Sequence, residues 1–204
     1  MAITANQITN FRMACVPLIA FCICLEGKLW TTVGFILFVL AAISDWYDGY
    51  LARTSNTTSL FGQVFDSIAD KLLVGGSMLA LAYVDRFGNM LIFPAIIILL
   101  REIFVAGLRE YVIRQEVENQ AESSPAVDDG RKTLGATDLA KLKTVLQMVG
   151  IGMLIIAPYL LYPYFGMIGG LIFWASAALS AYTGWQYWKE ARPAITKGLI
   201  EPEY

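Results

Sequence analysis

Within the stretch DWYDGYLARTSNTTSLFGQVFDSIAD, which begins at Asp45 and ends at Asp70, four aspartates and two glycines interrupt a very apolar chain. Asp45, Asp48, Gly49 and Ala52 recur at i, i+3, i+4 and i+7, the spacing of one helix face. Gly62, Asp66 and Asp70 recur at i, i+4 and i+8 and form a second such face, with a Thr/Ser/Asn-rich turn over 54–59 between them. A helix hairpin would bring the two stripes together. Four carboxylates converging in low dielectric cannot all stay ionised without compensating charge. The economical compensation is a pair of divalent cations with oxygen ligands. The bland alternative is pairing with Arg53 and Lys71, but two cations do not offset four carboxylates. It also leaves Gly49, Ala52 and Gly62 unexplained, whereas on a binding face small residues make room for a bulky ligand against the helix backbone.

A second constellation is basic. Arg101-Glu102 and Arg109-Glu110 occupy an apolar run, and Lys141, Lys143 and Thr144 open the next one. Lys141 and Lys143 read equally well as ordinary flanking charge. Arg101 lies well inside its run and needs a partner such as Glu102 or a bound anion. Cations holding one polyanion and guanidinium groups holding another describe a site for two phosphorylated ligands.

The elements that must position these groups are membrane helices. The chain has 204 residues, 57% hydrophobic and 16% charged, where a soluble domain carries about 25% charged residues. Its mean hydropathy is +0.57. Apolar runs over 11–25, 29–52, 61–84, 90–113, 142–162 and 165–188 are each near the ~20 residues that cross a hydrocarbon core. The expectation is therefore an all-α integral membrane protein: one domain, six transmembrane helices and a short N-terminal interfacial segment over 1–10. The polar stretch 114–138 reads as a loop without chemistry. The loops after spans one, three and five hold Lys28 and Arg86, while Arg53, Arg114, Arg131, Lys132, Lys189 and Arg192 lie on the other side. The positive-inside rule then puts both termini and the acidic hairpin turn on the cytoplasmic face.

The absence of histidine removes catalytic His, His-based zinc sites and Ser-His triads from this chain. Cys15, Cys22 and Cys24 all fall in the first span and read as small buried hydrophobes. The N-terminal residues lack the basic segment and small-residue cleavage site of a signal peptide, so no cleavage is expected. The tryptophans and many tyrosines read as interfacial belts and receive no chemistry.

The pattern Asp45-x2-Asp48-Gly49-x2-Ala52-Arg53-x8-Gly62-x3-Asp66-x3-Asp70 resembles, position for position, the signature of the CDP-alcohol phosphotransferases. Size and the six expected spans fit as well, so the resemblance covers essentially the whole chain. Arg101-Glu102-Ile103, Gly107-Leu108-Arg109, Lys141-x-Lys143-Thr144 and Asn6-x2-Thr9-x2-Arg12 resemble the branch of that family that uses a glycerol phosphate acceptor. The chain departs from that branch at Ala140, where Gly is usual, in lacking Pro before Asn6, and in a longer, more acidic loop before Lys141.

The resemblance implies the CDP-alcohol phosphotransferase fold and a reaction. A phosphatidyl group would pass from CDP-diacylglycerol to sn-glycerol 3-phosphate, giving phosphatidylglycerophosphate and CMP. It implies that Asp45 and Asp66 bridge two divalent cations, Mg²⁺ or Mn²⁺, with Asp48 completing one site and Asp70 the other. Asp70 would also accept the proton of the attacking hydroxyl. Asn6, Thr9, Gly49, Ala52, Arg53, Ser59 and Gly62 would line the CDP-diacylglycerol pocket, and Arg101, Arg109, Lys141 and Lys143 the glycerol phosphate pocket. A homodimer in a bacterial-type inner membrane, with no nucleic-acid partner, is expected. Three alternatives stay open: a sibling phosphotransferase acting on serine, inositol phosphate or phosphatidylglycerol; a membrane prenyltransferase with paired aspartate clusters; and a cation transporter with intramembrane aspartates.

Overall fold

A computed structural model describes the backbone of residues 5–55, 60–122, 138–160, 162 and 164–200. Side chains at 5–10, 45–55, 60–64, 66–67, 113, 115–122, 138, 194 and 197–200 lie outside the described residues. Among the described residues six α-helices follow one another: α1 Ala5–Cys24, α2 Lys28–Ser55, α3 Leu60–Tyr83, α4 Gly88–Glu122, α5 Asp138–Ile156 and α6 Phe165–Ile200. A 3-10 turn, Ala157–Tyr159, extends α5 where Pro158 removes a backbone donor. No strand occurs among the described residues.

The turn between α3 and α4 is tight. At the end of α3, Asp85 adopts a left-handed φ of 54°, and its N–H reaches the Ala82 carbonyl at 3.2 Å. The Arg86 N–H reaches back to the Leu81 carbonyl at 2.9 Å. This pair of bonds is a Schellman cap, which satisfies carbonyls that the helix end would otherwise leave open. The chain then enters α4 at Gly88, also left-handed at 48°.

α1 packs against α2 and α3; α6 packs against α4 and α5; and α2 and α3 join the two groups by packing on α5. Ile19, Phe38, Leu73, Leu81, Ile98, Ile151 and Phe173 are fully buried at the centre. Small residues set the closest approaches. A Cβ on Gly150 of α5 would stand 3.2 Å from the backbone of Phe173 on α6, so the two helices meet there nearly backbone to backbone.

Polarity is inverted relative to a soluble bundle. Leu79, Met90 and Leu171 are about 70% exposed, whereas Arg12, Lys143, Gln147, Ser176, Ser180 and Thr183 are buried. Helices that are apolar outside and carry polar groups inside fit a bilayer. Gly88–Val112, Leu139–Tyr159 and Phe165–Pro193 are long and apolar enough to cross a membrane. Phe11–Cys24 and Lys28–Ser44 are apolar but shorter. Of six expected spans, three therefore meet the length criterion among the described residues.

Two boundaries differ from expectation. α4 runs on to Glu122, so the first part of the stretch read as a loop over 114–138 is helical. Glu and Gln are good helix formers, and the Arg114–Glu110 pair at 2.7 Å adds i,i+4 support. The N-terminal segment is not separate either: α1 starts at Ala5 and continues unbroken into the first apolar run.

Candidate active site

α4, α5 and α6 bring three cations and their partners together. Arg101 and Glu102 are neighbours on α4, and Lys143 reaches Glu102 from α5. The Lys143 ammonium donates to the same Glu102 oxygen, Oε1, that Arg101 Nη1 approaches at 3.2 Å. The three side chains are 10% (Arg101), 19% (Glu102) and 5% (Lys143) exposed, so this is a largely desolvated cluster. One carboxylate oxygen is thus shared by two cations where low dielectric magnifies the interaction.

α6 shapes the arginine. Thr183 Oγ1 gives its proton back to the Leu179 and Ser180 carbonyls at 2.9 and 3.1 Å. Its lone pairs stay free to accept from Arg101 Nη2 at 3.0 Å. The aliphatic stem of Arg101 lies over Gly184, where an added Cβ would stand 2.9 Å from Arg101 Cγ. One turn further on, Tyr187 is 8% exposed. The guanidinium carbons of Arg101 and Arg109 both lie 5.7 Å from its ring centroid, within cation–π range. Arg109 Nη2 also donates to the Tyr187 hydroxyl at 3.3 Å.

The acidic side meets this cluster at Asp70. Asp70, on α3, is half-buried, and its carboxylate acts electrostatically on Lys143 together with Glu102 and Arg101. The last residue of the second acidic stripe and the buried lysine thus share one environment. The backbones of Asp45, Asp48, Gly49, Ala52 and Arg53 lie in α2, and those of Gly62 and Asp66 in α3. The i, i+3 and i, i+4 spacings therefore run along continuous helix, which keeps each pair on one face. Their side chains lie outside the described residues, as do those of Asn6 and Thr9, whose backbones belong to α1. Ser59 lies outside altogether.

Lys141 and Lys143 part company. Lys143 is buried in the cluster, whereas Lys141 is exposed. Two residues along a helix is about 200° of rotation, so the pair cannot face the same way. Thr144 turns its hydroxyl onto the Ala140 carbonyl at 3.1 Å. Thr183, Gly184 and Tyr187 carried no chemistry in the sequence. Their i, i+1, i+4 spacing inside the last apolar helix was the available signal.

Among the described residues no group of three His, Cys, Asp or Glu side chains could hold a metal; three of the four stripe aspartates fall outside that set. The donor chemistry nonetheless fits a hard cation: carboxylate oxygens at helix spacing, with the chain's three cysteines all on α1.

A model of a family described as CDP-alcohol phosphatidyltransferase matches residues 2–182. A protein of Rickettsia typhi is 36% identical over 188 residues, covering 92% of this chain and 96% of the relative. One from Cereibacter sphaeroides is 31% identical over 231 residues, covering 93% and 96%. One from Salmonella choleraesuis is 31% identical over 186 residues, covering 91% and 92%. All three relatives carry the name CDP-diacylglycerol–glycerol-3-phosphate 3-phosphatidyltransferase.

Proposed function

The chain belongs to the CDP-alcohol phosphatidyltransferase family, and from that premise we propose that it transfers the phosphatidyl group of CDP-diacylglycerol to sn-glycerol 3-phosphate. The products are phosphatidylglycerophosphate and CMP. The observation that carries the acceptor is the cluster of Arg101, Arg109 and Lys143, in which Glu102 bonds to two of the three cations. The three cations outnumber the two carboxylates that act on them, Glu102 and Asp70. Glycerol 3-phosphate brings about two negative charges near pH 7 and must shed water to reach Arg101 and Lys143, which are largely desolvated, past Arg109, which is exposed. Serine brings no phosphate, and phosphatidylglycerol brings a single charge.

In the proposed reaction an acceptor hydroxyl attacks the β-phosphorus of the donor. A phosphorus–oxygen bond forms to the glycerol, and the bond to the oxygen bridging the two phosphorus atoms breaks, releasing CMP. Asp70 takes the hydroxyl proton on its carboxylate as that bond forms. Arg109 and Arg101 grip the acceptor phosphate through planar forks, and Lys143 adds a point charge. Orientation of the hydroxyl follows from these fixed contacts. Asp45, Asp48, Asp66 and Asp70 would hold a pair of Mg²⁺ or Mn²⁺ ions, which when bound neutralise the donor diphosphate and stabilise the departing CMP. Asn6, Thr9, Gly49, Ala52, Arg53, Ser59 and Gly62 line the donor pocket in this reading.

We further infer that all six helices cross the membrane, with both termini and the site on the cytoplasmic side and a homodimer as the working unit. The flanking arginines and lysines support that orientation.

A panel of acceptors offered to the purified protein tests the assignment. With CDP-diacylglycerol as donor, CMP release should require glycerol 3-phosphate and be negligible with serine, inositol phosphate or phosphatidylglycerol. Faster release with any of the other three would reassign the acceptor within the family.

A further inference from the structure

Arg101 and Arg109 stand eight residues apart on α4, about 12 Å along the helix axis. Side chains pointing straight out from such positions would not converge on one small phosphate. Both guanidinium carbons nevertheless lie 5.7 Å from one ring centroid, that of Tyr187 on α6. Arg109 also donates to that residue's hydroxyl at 3.3 Å. Thr183, one turn away on the same helix, accepts from Arg101 at 3.0 Å. Tyr187 itself is buried.

We infer that Tyr187 is a positioning residue for the acceptor phosphate. Its ring and hydroxyl hold the Arg101 and Arg109 guanidinium groups against one residue of α6 before substrate arrives. The inference rests on the reading that those arginines hold the acceptor's phosphate. Its physical basis is preorganisation. Two long, like-charged side chains would otherwise repel each other and lose rotamer freedom on binding. An aromatic ring attracts both cations through its quadrupole without neutralising either. A carboxylate in the same place would hold them as firmly but cancel the charge the phosphate needs. Tyr187 itself need not touch the substrate; it acts through the arginines.

The test is a comparison of Tyr187→Phe, Tyr187→Leu, Arg109→Ala and the Tyr187→Leu/Arg109→Ala double variant, purified with the full chain and assayed for both substrates. Tyr187→Leu is expected to raise the glycerol 3-phosphate KM on the order of tenfold. The CDP-diacylglycerol KM should stay within about twofold, and kcat at saturating acceptor should change little. Tyr187→Phe keeps the ring and loses one hydrogen bond, so its acceptor KM should rise on the order of threefold. In the Arg109→Ala background Tyr187→Leu should have a clearly smaller effect, because part of its action passes through Arg109. Should Tyr187→Leu not accumulate as folded protein, Tyr187→Phe in the two backgrounds decides the question. Full additivity, or a parallel rise in both KM values, overturns the inference. If Arg109→Ala raises the acceptor KM and Tyr187→Phe and Tyr187→Leu do not, the inference fails and the phosphate site stands. If Arg109→Ala also leaves the acceptor KM unchanged, the phosphate site itself is misplaced.

Discussion

Lys143 of α5 donates its ammonium proton to the Glu102 carboxylate of α4, and Arg101 shares the same oxygen. This contact ties two membrane helices together through charges that are almost wholly out of water. Removing one partner of a buried pair strands the other, at a cost of about 3–5 kcal/mol. Glu102→Gln should therefore lower the thermal stability of the detergent-solubilised protein by an amount of that order. Lys143→Met added to Glu102→Gln should recover part of the loss, since the stranded ammonium is gone and Arg101 alone is left without its carboxylate. Equal stability of Glu102→Gln and wild type would mean that water reaches the pair.

The two lysines ahead of Thr144 should separate in kinetics as they do in space. Lys143→Met, which keeps the length of the side chain, should raise the glycerol 3-phosphate KM at least about tenfold through loss of a desolvated charge contact. Lys141→Ala, at an exposed position, should leave it within about twofold. Steady-state titration of acceptor at saturating donor reads the difference. The reverse ranking would place the phosphate on the other face of α5.

How much of this was legible beforehand varied from residue to residue. The aspartate stripes and Arg101 stood out because a charge inside an apolar run has few explanations. The six helices were visible in hydropathy and in turns such as Asp85–Gly88. Lys141 and Lys143 were not separable, because a spacing of two says that the residues face apart without saying which one faces in. Tyr187 was hidden for a different reason. Tyrosines near the end of an apolar helix resemble an interfacial belt, and only the packing of α4 on α6 puts this one against two arginines. The helical extension of α4 to Glu122 was masked by its polarity, since hydropathy finds the bilayer and not the end of the helix.

Glycines at helix contacts should divide by the space around them. A Cβ at Gly150 would stand 3.2 Å from the backbone of Phe173, which cannot yield as a side-chain tip can. Gly150→Ala should destabilise the protein by about 1–3 kcal/mol through overpacking. At Gly75 the nearest atom to an added Cβ is Leu99 Cδ1 at 3.6 Å, an ordinary contact. Gly75→Ala should be neutral or slightly stabilising, because alanine is the better helix former. Thermal unfolding of the two variants side by side checks the contrast, and equal losses would contradict it.

Among the aspartates, Asp45→Asn and Asp66→Asn should abolish turnover, since a neutral amide is a much weaker cation ligand than a carboxylate. Asp70→Asn should slow the chemical step far more than it weakens donor binding, because three carboxylates remain to hold the cations. Chelation with EDTA should stop the wild type, and added Mg²⁺ or Mn²⁺ should restore it. Near-normal rates for Asp45→Asn at ordinary metal concentration would rule out the two-cation arrangement.

The most direct measurement is product stoichiometry in a reaction of purified protein, CDP-diacylglycerol, glycerol 3-phosphate and Mg²⁺. Lipid extracted from the reaction and weighed by mass spectrometry should contain phosphatidylglycerophosphate in amounts equal to the CMP released. Neither product should form when the glycerol 3-phosphate is left out. CMP appearing without the acceptor, matched by phosphatidic acid in the lipid phase, would show donor hydrolysis in place of phosphatidyl transfer and contradict the proposed function.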